Sequence, residues 1–109
     1  MSAGFASQLR VKDAEAVRLA PPGAPVRRVR VESADAWYAV RVDATPTTSV
    51  AEVKRAAIAA LHGDREHPAD FVTKLRGWEI LDERDSLEEA DVVDGATLLV
   101  HVRRKRPVR

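Results

Sequence analysis

The sequence predicts an α+β domain in which one main helix packs across a mixed sheet of four to five strands. Three observations predict it. Ser49-Val-Ala-Glu52 has the form of a helix capping box and precedes apolar residues at helical spacing. Valine alternates with arginine in the stretch before it, the period of a half-buried strand. A closing stretch, Thr97-Leu-Leu-Val-His-Val102, follows the turn residue Gly95. A lone helix with one apolar face must lay that face on a sheet, because nothing else can cover it.

The 109 residues set the scale at one domain with at most a tail. Hydrophobic residues make up 45%, enough for one modest core. Only five residues are aromatic (Phe5, Trp37, Tyr38, Phe71 and Trp78), so aliphatic side chains must fill that core. Eighteen basic and 17 acidic residues leave a net charge of +1, too little to steer nucleic acid or membrane globally. There is no cysteine, which excludes disulfides, a thiol nucleophile and cysteine metal sites. No apolar run approaches the roughly 20 residues of a membrane helix, and no basic-then-apolar leader opens the chain. The expectation is a soluble, cytoplasmic protein. Arginine outnumbers lysine 14 to 4 beside abundant alanine, which hints at a GC-rich bacterial source.

Residues 1–25 read as an N-terminal extension, either flexible or a short helix around Phe5 and Leu9. Pro21-Pro22-Gly23-Ala24-Pro25 closes it with a break that no helix or central strand crosses. The domain proper is expected over 26–104. In its first strand Val29 and Val31 face one side, with Arg28 and Arg30 on the other. Ser33 to Ala36 supplies a turn, and Trp37 to Val42 returns as the second strand of a hairpin. Its basic face is better explained as the solvated side of a sheet than as a nucleic-acid surface.

Asp43 to Pro46 ends that strand. Val50, Val53, Ala57 and Leu61 then recur on one helical face, and Gly63 stops the helix where a left-handed residue is wanted. A polar loop leads to a third strand, Phe71 to Arg76, and Gly77-Trp78 turns it into a short one, Glu79 to Leu81. Ser86 to Ala90 forms one helical turn. In the last strand Leu98, Val100 and Val102 point one way, with Leu99 and His101 opposite.

This order resembles the β-grasp fold of the ubiquitin-like superfamily. The resemblance covers Val26 to Arg104 and rests on the capped helix Ser49-Val-Ala-Glu-Val-Lys54, the segment Leu81 to Leu87, and the entry Asp94-Gly95-Ala-Thr-Leu98. The Leu81, Leu87, Val92, Leu98 spacing matches such domains without a gap. Asp82 and Asp85 before Ser86-Leu87 also resemble small bacterial ubiquitin-like proteins of secretion or modifier loci. The resemblance implies a non-catalytic protein-interaction module that docks through its sheet face. Its partners would be proteins, with E1-like or E2-like enzymes or a secretion component among the candidates. On this reading Leu75, Leu99 and His101 are carried outward as partner-binding residues. A one-residue shift of register would bury Leu75 instead.

The alternative is a covalent modifier of a bacterial conjugation pathway. Modifiers of this fold end in Gly-Gly, whereas Arg106-Pro107 stand in that place here, so activation would need an atypical or processed C-terminus. The basic tail, Arg103, Arg104, Lys105, Arg106 and Arg109, either grips phosphates or anionic lipid weakly or simply solubilises the chain. Trp78, beside Gly77 at a turn, either anchors a partner or closes the bottom of the sheet. His62, His67 and His101 lack metal-site spacing and read as surface histidines, and no phosphate loop, nucleophile elbow or carboxylate pair occurs. No cofactor or catalytic residue is expected.

Overall fold

The computed structural model describes residues 16–34, 38–63 and 65–103. Alternation in the valine-rich stretch produces two strands, β2 (Arg27–Ser33) and β3 (Ala39–Ala44), paired antiparallel with Val29 opposite Val42 and Val31 opposite Val40. All four valines are buried. Helix α1 (Val50–His62) follows, then a 3-10 turn at Pro68–Asp70, β4 (Phe71–Leu75), β5 (Trp78–Glu79) and β6 (Ala96–Val102). A further short strand, β1 (Val17–Arg18), precedes them. The sheet order is β1-β3-β2-β6-β4-β5, with β6 parallel to β2 and antiparallel to β4.

The fold class is as expected, with six strands instead of four to five. The extra strand lies in the stretch read as an extension. Val17 and Arg18 pair in parallel with Val42 and Asp43, and the backbone N–H groups of Leu19 and Ala20 both donate to the Asp43 carbonyl. Ala20 is buried, so the folded unit begins well before Val26. Two residues carry no readable alternation, which is why the strand escapes a sequence reading. Residues 1–15 lie outside the described residues.

The helix forms as its caps require. Ser49 Oγ accepts from the Glu52 amide at 3.1 Å, and the Glu52 carboxylate accepts from the Ser49 amide at 3.1 Å. The Val50 and Ala51 amides, which have no partner within the helix, donate to the carbonyls of Asp85 and Glu83 at 2.9 and 2.8 Å. Val50, Val53, Ala57, Ile58 and Leu61 sit in the core against the sheet. Lys54 is buried as well, its ammonium held by both oxygens of Glu83 at 2.8 and 3.1 Å. At the far end His62 is no surface histidine. Its Nε2 lies 2.8 Å from Ser33 Oγ, and its ring packs 5.2 Å from that of Phe71.

Ser86 opens the expected helical turn with a second reciprocal cap. Its hydroxyl accepts from the Glu89 amide, and the Glu89 carboxylate accepts from the Ser86 amide. Leu87, within the turn, and Val92, just after it, are fully buried. The entry to β6 is pinned to β2 by a substitute for ladder bonds. Asp94 Oδ1 accepts from the Arg28 amide at 2.7 Å while the Gly95 amide donates to the Arg28 carbonyl at 2.7 Å.

Two predictions follow from this packing. Removing Glu83 strands a buried ammonium, so Glu83→Ala should cost about 3 kcal/mol. Lys54→Met replaces that ammonium with a chain of similar size and leaves Glu83 partly solvated, so it should cost clearly less. Urea unfolding measures both, and an equal or reversed order would refute the account. Asp94 titrates low because of the Arg28 amide bond and, after it, the nearby guanidinium. With its folded value below the unfolded one, the native chain binds fewer protons in that interval. Its stabilisation is present above the ordinary carboxylate range and is lost as pH falls through the depressed value. Asp94→Asn should flatten that acid limb in unfolding measured across pH.

Candidate functional site

The register of β4 decides which side chains reach solvent. Phe71, Thr73 and Leu75 pair with Val102, Val100 and Leu98 and face the helix, while Val72 and Lys74 pair with His101 and Leu99 and face away. Leu75 belongs to the core at 8% exposure, which corrects the outward placement read from the sequence. The cause is Phe71: a large ring buried at the start of β4 puts every second residue on the same side. Lys74 therefore takes the central outward position.

On the helix-distal face Leu99 and His101 do lie together, half-buried on the central strand β6. Leu99 stands between Glu32 of β2 and Lys74 of β4. His101 approaches its neighbour Val102 carbonyl through Nδ1 at 3.2 Å, and its Nε2 is buried with no hydrogen-bond partner. Arg103, at the end of β6, donates to Glu79 of β5 at 3.3 Å. Val72 of β4, between these two strands, is 5% exposed. Arg104, Lys105, Arg106 and Arg109 lie outside the described residues.

Beyond β4 the chain turns in two residues, Arg76 and Gly77, with φ of 52° and 85°. A tight hairpin loop of this kind needs positive φ at both positions, which glycine adopts freely. The turn separates two shallow grooves of about 430 Å³ each. One is lined by Lys74, Thr97 and Leu99 of the outer face with Val93 and Arg76, and its walls are largely apolar. The other lies along β5 and the following loop, between Trp78, Ile80, Leu81 and Ala90, and is lined also by Arg76, Glu79, Asp82 and Asp85.

Trp78 resolves to a surface residue at 79% exposure. Its cross-strand partner Leu75 is covered by the helix layer, but β5 is the edge strand and Trp78 stands beyond that cover. Leu81 is 85% exposed, so the leucine that marked the family-like spacing is a surface group. Sequence reasoning missed Lys74, Leu81, Val93 and Ala90 as groove residues. The Phe71-x-Thr73-x-Leu75 alternation ahead of Gly77 was the available signal for Lys74. The others depend on where the loop crosses the edge.

The loop carries strong local electrostatics. Asp82 Oδ1 accepts from the Arg84 amide and side chain at 3.0 and 3.1 Å. Both hydrogen bonds, the side-chain one foremost, lower the Asp82 carboxyl, and the side-chain one with the attraction of Asp82 raises the Arg84 guanidinium. Among the described residues no three histidines or carboxylates gather to hold a metal, and no helix is long and apolar enough to cross a membrane.

The arrangement, a helix across a mixed sheet with parallel β2 and β6 at its centre, is the ubiquitin-like β-grasp fold. No protein-family model matches the sequence, and no curated protein sequence matches it. Solved structures do. A ubiquitin of Caldiarchaeum subterraneum is similar with TM-score 0.62 at 16% identity, over 75% of this chain and 99% of that one. A ubiquitin-like domain of an Arabidopsis thaliana protein is similar with TM-score 0.63 at 13% identity, over 84% and 92%. A chain of ATBAG1, solved in complex with HSP70, is similar with TM-score 0.55 at 19% identity, over 68% of this chain and 38% of that one.

The exposures predict a stability contrast. Trp78→Ala and Leu81→Ser should each change unfolding free energy by less than about 0.5 kcal/mol, whereas Leu75→Ala should cost about 2–5 kcal/mol. Thermal or urea unfolding of the three variants checks the assignment of face.

Proposed function

We propose that the chain is a non-catalytic ubiquitin-like interaction module of the bacterial cytoplasm. On this reading it docks on a protein partner through the helix-distal sheet face, with Leu99 at the centre, Lys74 and His101 beside it, and Val93 at the groove wall. The observation that carries the reading is Leu99 itself. It is an apolar side chain on the central strand of an open sheet face, lining a largely apolar groove whose rim carries Lys74 and Arg76. Apolar anchors ringed by charge are how protein interfaces concentrate binding energy. The complex of ATBAG1 with HSP70 lends general support, since that chain carries this fold and is found with a protein partner.

The test is recovery of partners from the native host on the full chain and on Leu99→Asp with Lys74→Glu. The double variant should lose at least about tenfold of the recovered partner while keeping its unfolding midpoint. Unchanged recovery removes the face assignment. Intact mass of the protein from its host separates this reading from the covalent-modifier alternative. A species carrying the added mass of a second polypeptide, resistant to denaturant, would favour the modifier.

A further inference from the structure

The second groove lies across the Arg76-Gly77 turn from the outer-face groove, borders Leu75 and Arg76 in common with it, and adds three carboxylate residues to its lining. Its floor is apolar: Leu75 is buried, Ile80 and Ala90 pack partly against the core, and the methyl of Ala90 leaves the space above it open. Trp78 and Leu81 stand at its margin with 79% and 85% of their surface in water. Two large apolar side chains this exposed along one groove mark an interaction site more often than a scattered surface does.

The rim selects the partner. Residues 79–91 hold seven carboxylates and one arginine, Arg84. Among the described residues four of the carboxylates are paired with Lys54, Arg76, Arg84 and Arg103, and of the other three Asp85 lines the groove. The groove on the outer face carries Lys74 and no carboxylate in its lining, and Arg76, paired with Asp91, borders both. One hairpin turn therefore separates a groove lined by Lys74 from one lined by Glu79, Asp82 and Asp85.

We propose that the groove between Trp78, Leu81 and Ala90 binds a short basic peptide segment of a partner protein. The segment's apolar side chain sits over Ala90 between Trp78 and Leu81, and its lysines or arginines meet Asp82 and Asp85. Trp78 offers a flat face to the anchor and, through its ring, to a neighbouring cation.

The experiment titrates the isotope-labelled full chain with an amidated hexapeptide, Lys-Arg-Leu-Leu-Arg-Lys, and follows backbone amide shifts. Shifts should concentrate at residues 78–85 and at Ala90. Leu81→Ser, and separately Ala90→Phe, which plugs the floor while sparing the rim, should each weaken binding about tenfold. Added salt should weaken it several-fold. Leu99→Asp should leave it unchanged, so failure here and failure of the sheet-face reading are distinguishable. Equal binding of a peptide with serines in place of both leucines would reduce the site to charge alone and overturn the proposal. Equal binding of the same anchor flanked by glutamates would also overturn it, as would shifts confined to other residues. Tighter peptide binding after removal of residues 104–109 would make the chain's own basic tail the occupant and overturn the assignment to a partner.

Discussion

Everything in this fold leans on the docking of the helix N-terminus against the loop 82–87. A helix begins with amide groups that its own turns cannot satisfy. Here Ser49 takes one, and the carbonyls of Asp85 and Glu83 take those of Val50 and Ala51. Ser49 and Ser86 form an isolated bridge, and the Leu87 amide donates to Thr48. Lys54 then closes the contact one turn further along through Glu83. Polar groups that would be costly if buried alone are satisfied together. The contact ties the helix to the segment that follows the sheet's edge, residues distant in sequence. It sets where Leu87 and Val92 enter the core and where the chain emerges to form β6.

The same contact shapes the surface. Since the loop is held at the helix N-terminus, the chain must leave β5 after two paired residues and cross the edge of the sheet. Ile80 stays partly buried against the core while Leu81, the next residue, is thrown outward. Trp78 is left on the helix side of an edge strand that the helix does not reach. A tight turn at Arg76-Gly77 keeps these residues close to the outer face, so two grooves lie on either side of one hairpin, the carboxylates lining only the second. The surface chemistry is thus a by-product of a structural tie, not a separate device.

Some of the site was legible in the sequence and some was not. Leu99 and His101 were readable as outward neighbours because Leu98, Val100 and their alternation set the face of β6. Counting back from Leu81 places Leu75 outward, because the count shifts by one where a two-residue turn intervenes, although its alternation with Phe71 and Thr73 carried the inward face. His62 looked like a loop residue near a helix end. Only the return of β2 and β4 beside it shows Ser33 within hydrogen-bond reach and Phe71 against its ring. Trp78 stood equally for a core plug and a surface anchor until the sheet order made β5 an edge.

The sequence by itself determined the helix with its cap, the alternation of the long strands and the β-grasp order. Each of these is written in short-range chemistry: a hydroxyl three residues from a carboxylate, a period of two, a glycine where φ must be positive. The tertiary structure alone decided that Val17 and Arg18 add a strand, that Lys54 is buried on Glu83, and that Trp78 and Leu81 face water beside a cluster of carboxylates. Those outcomes depend on which distant segments share an edge or a layer, and local preference does not encode that. Burial is a property of the neighbours a residue meets, and the fold supplies them.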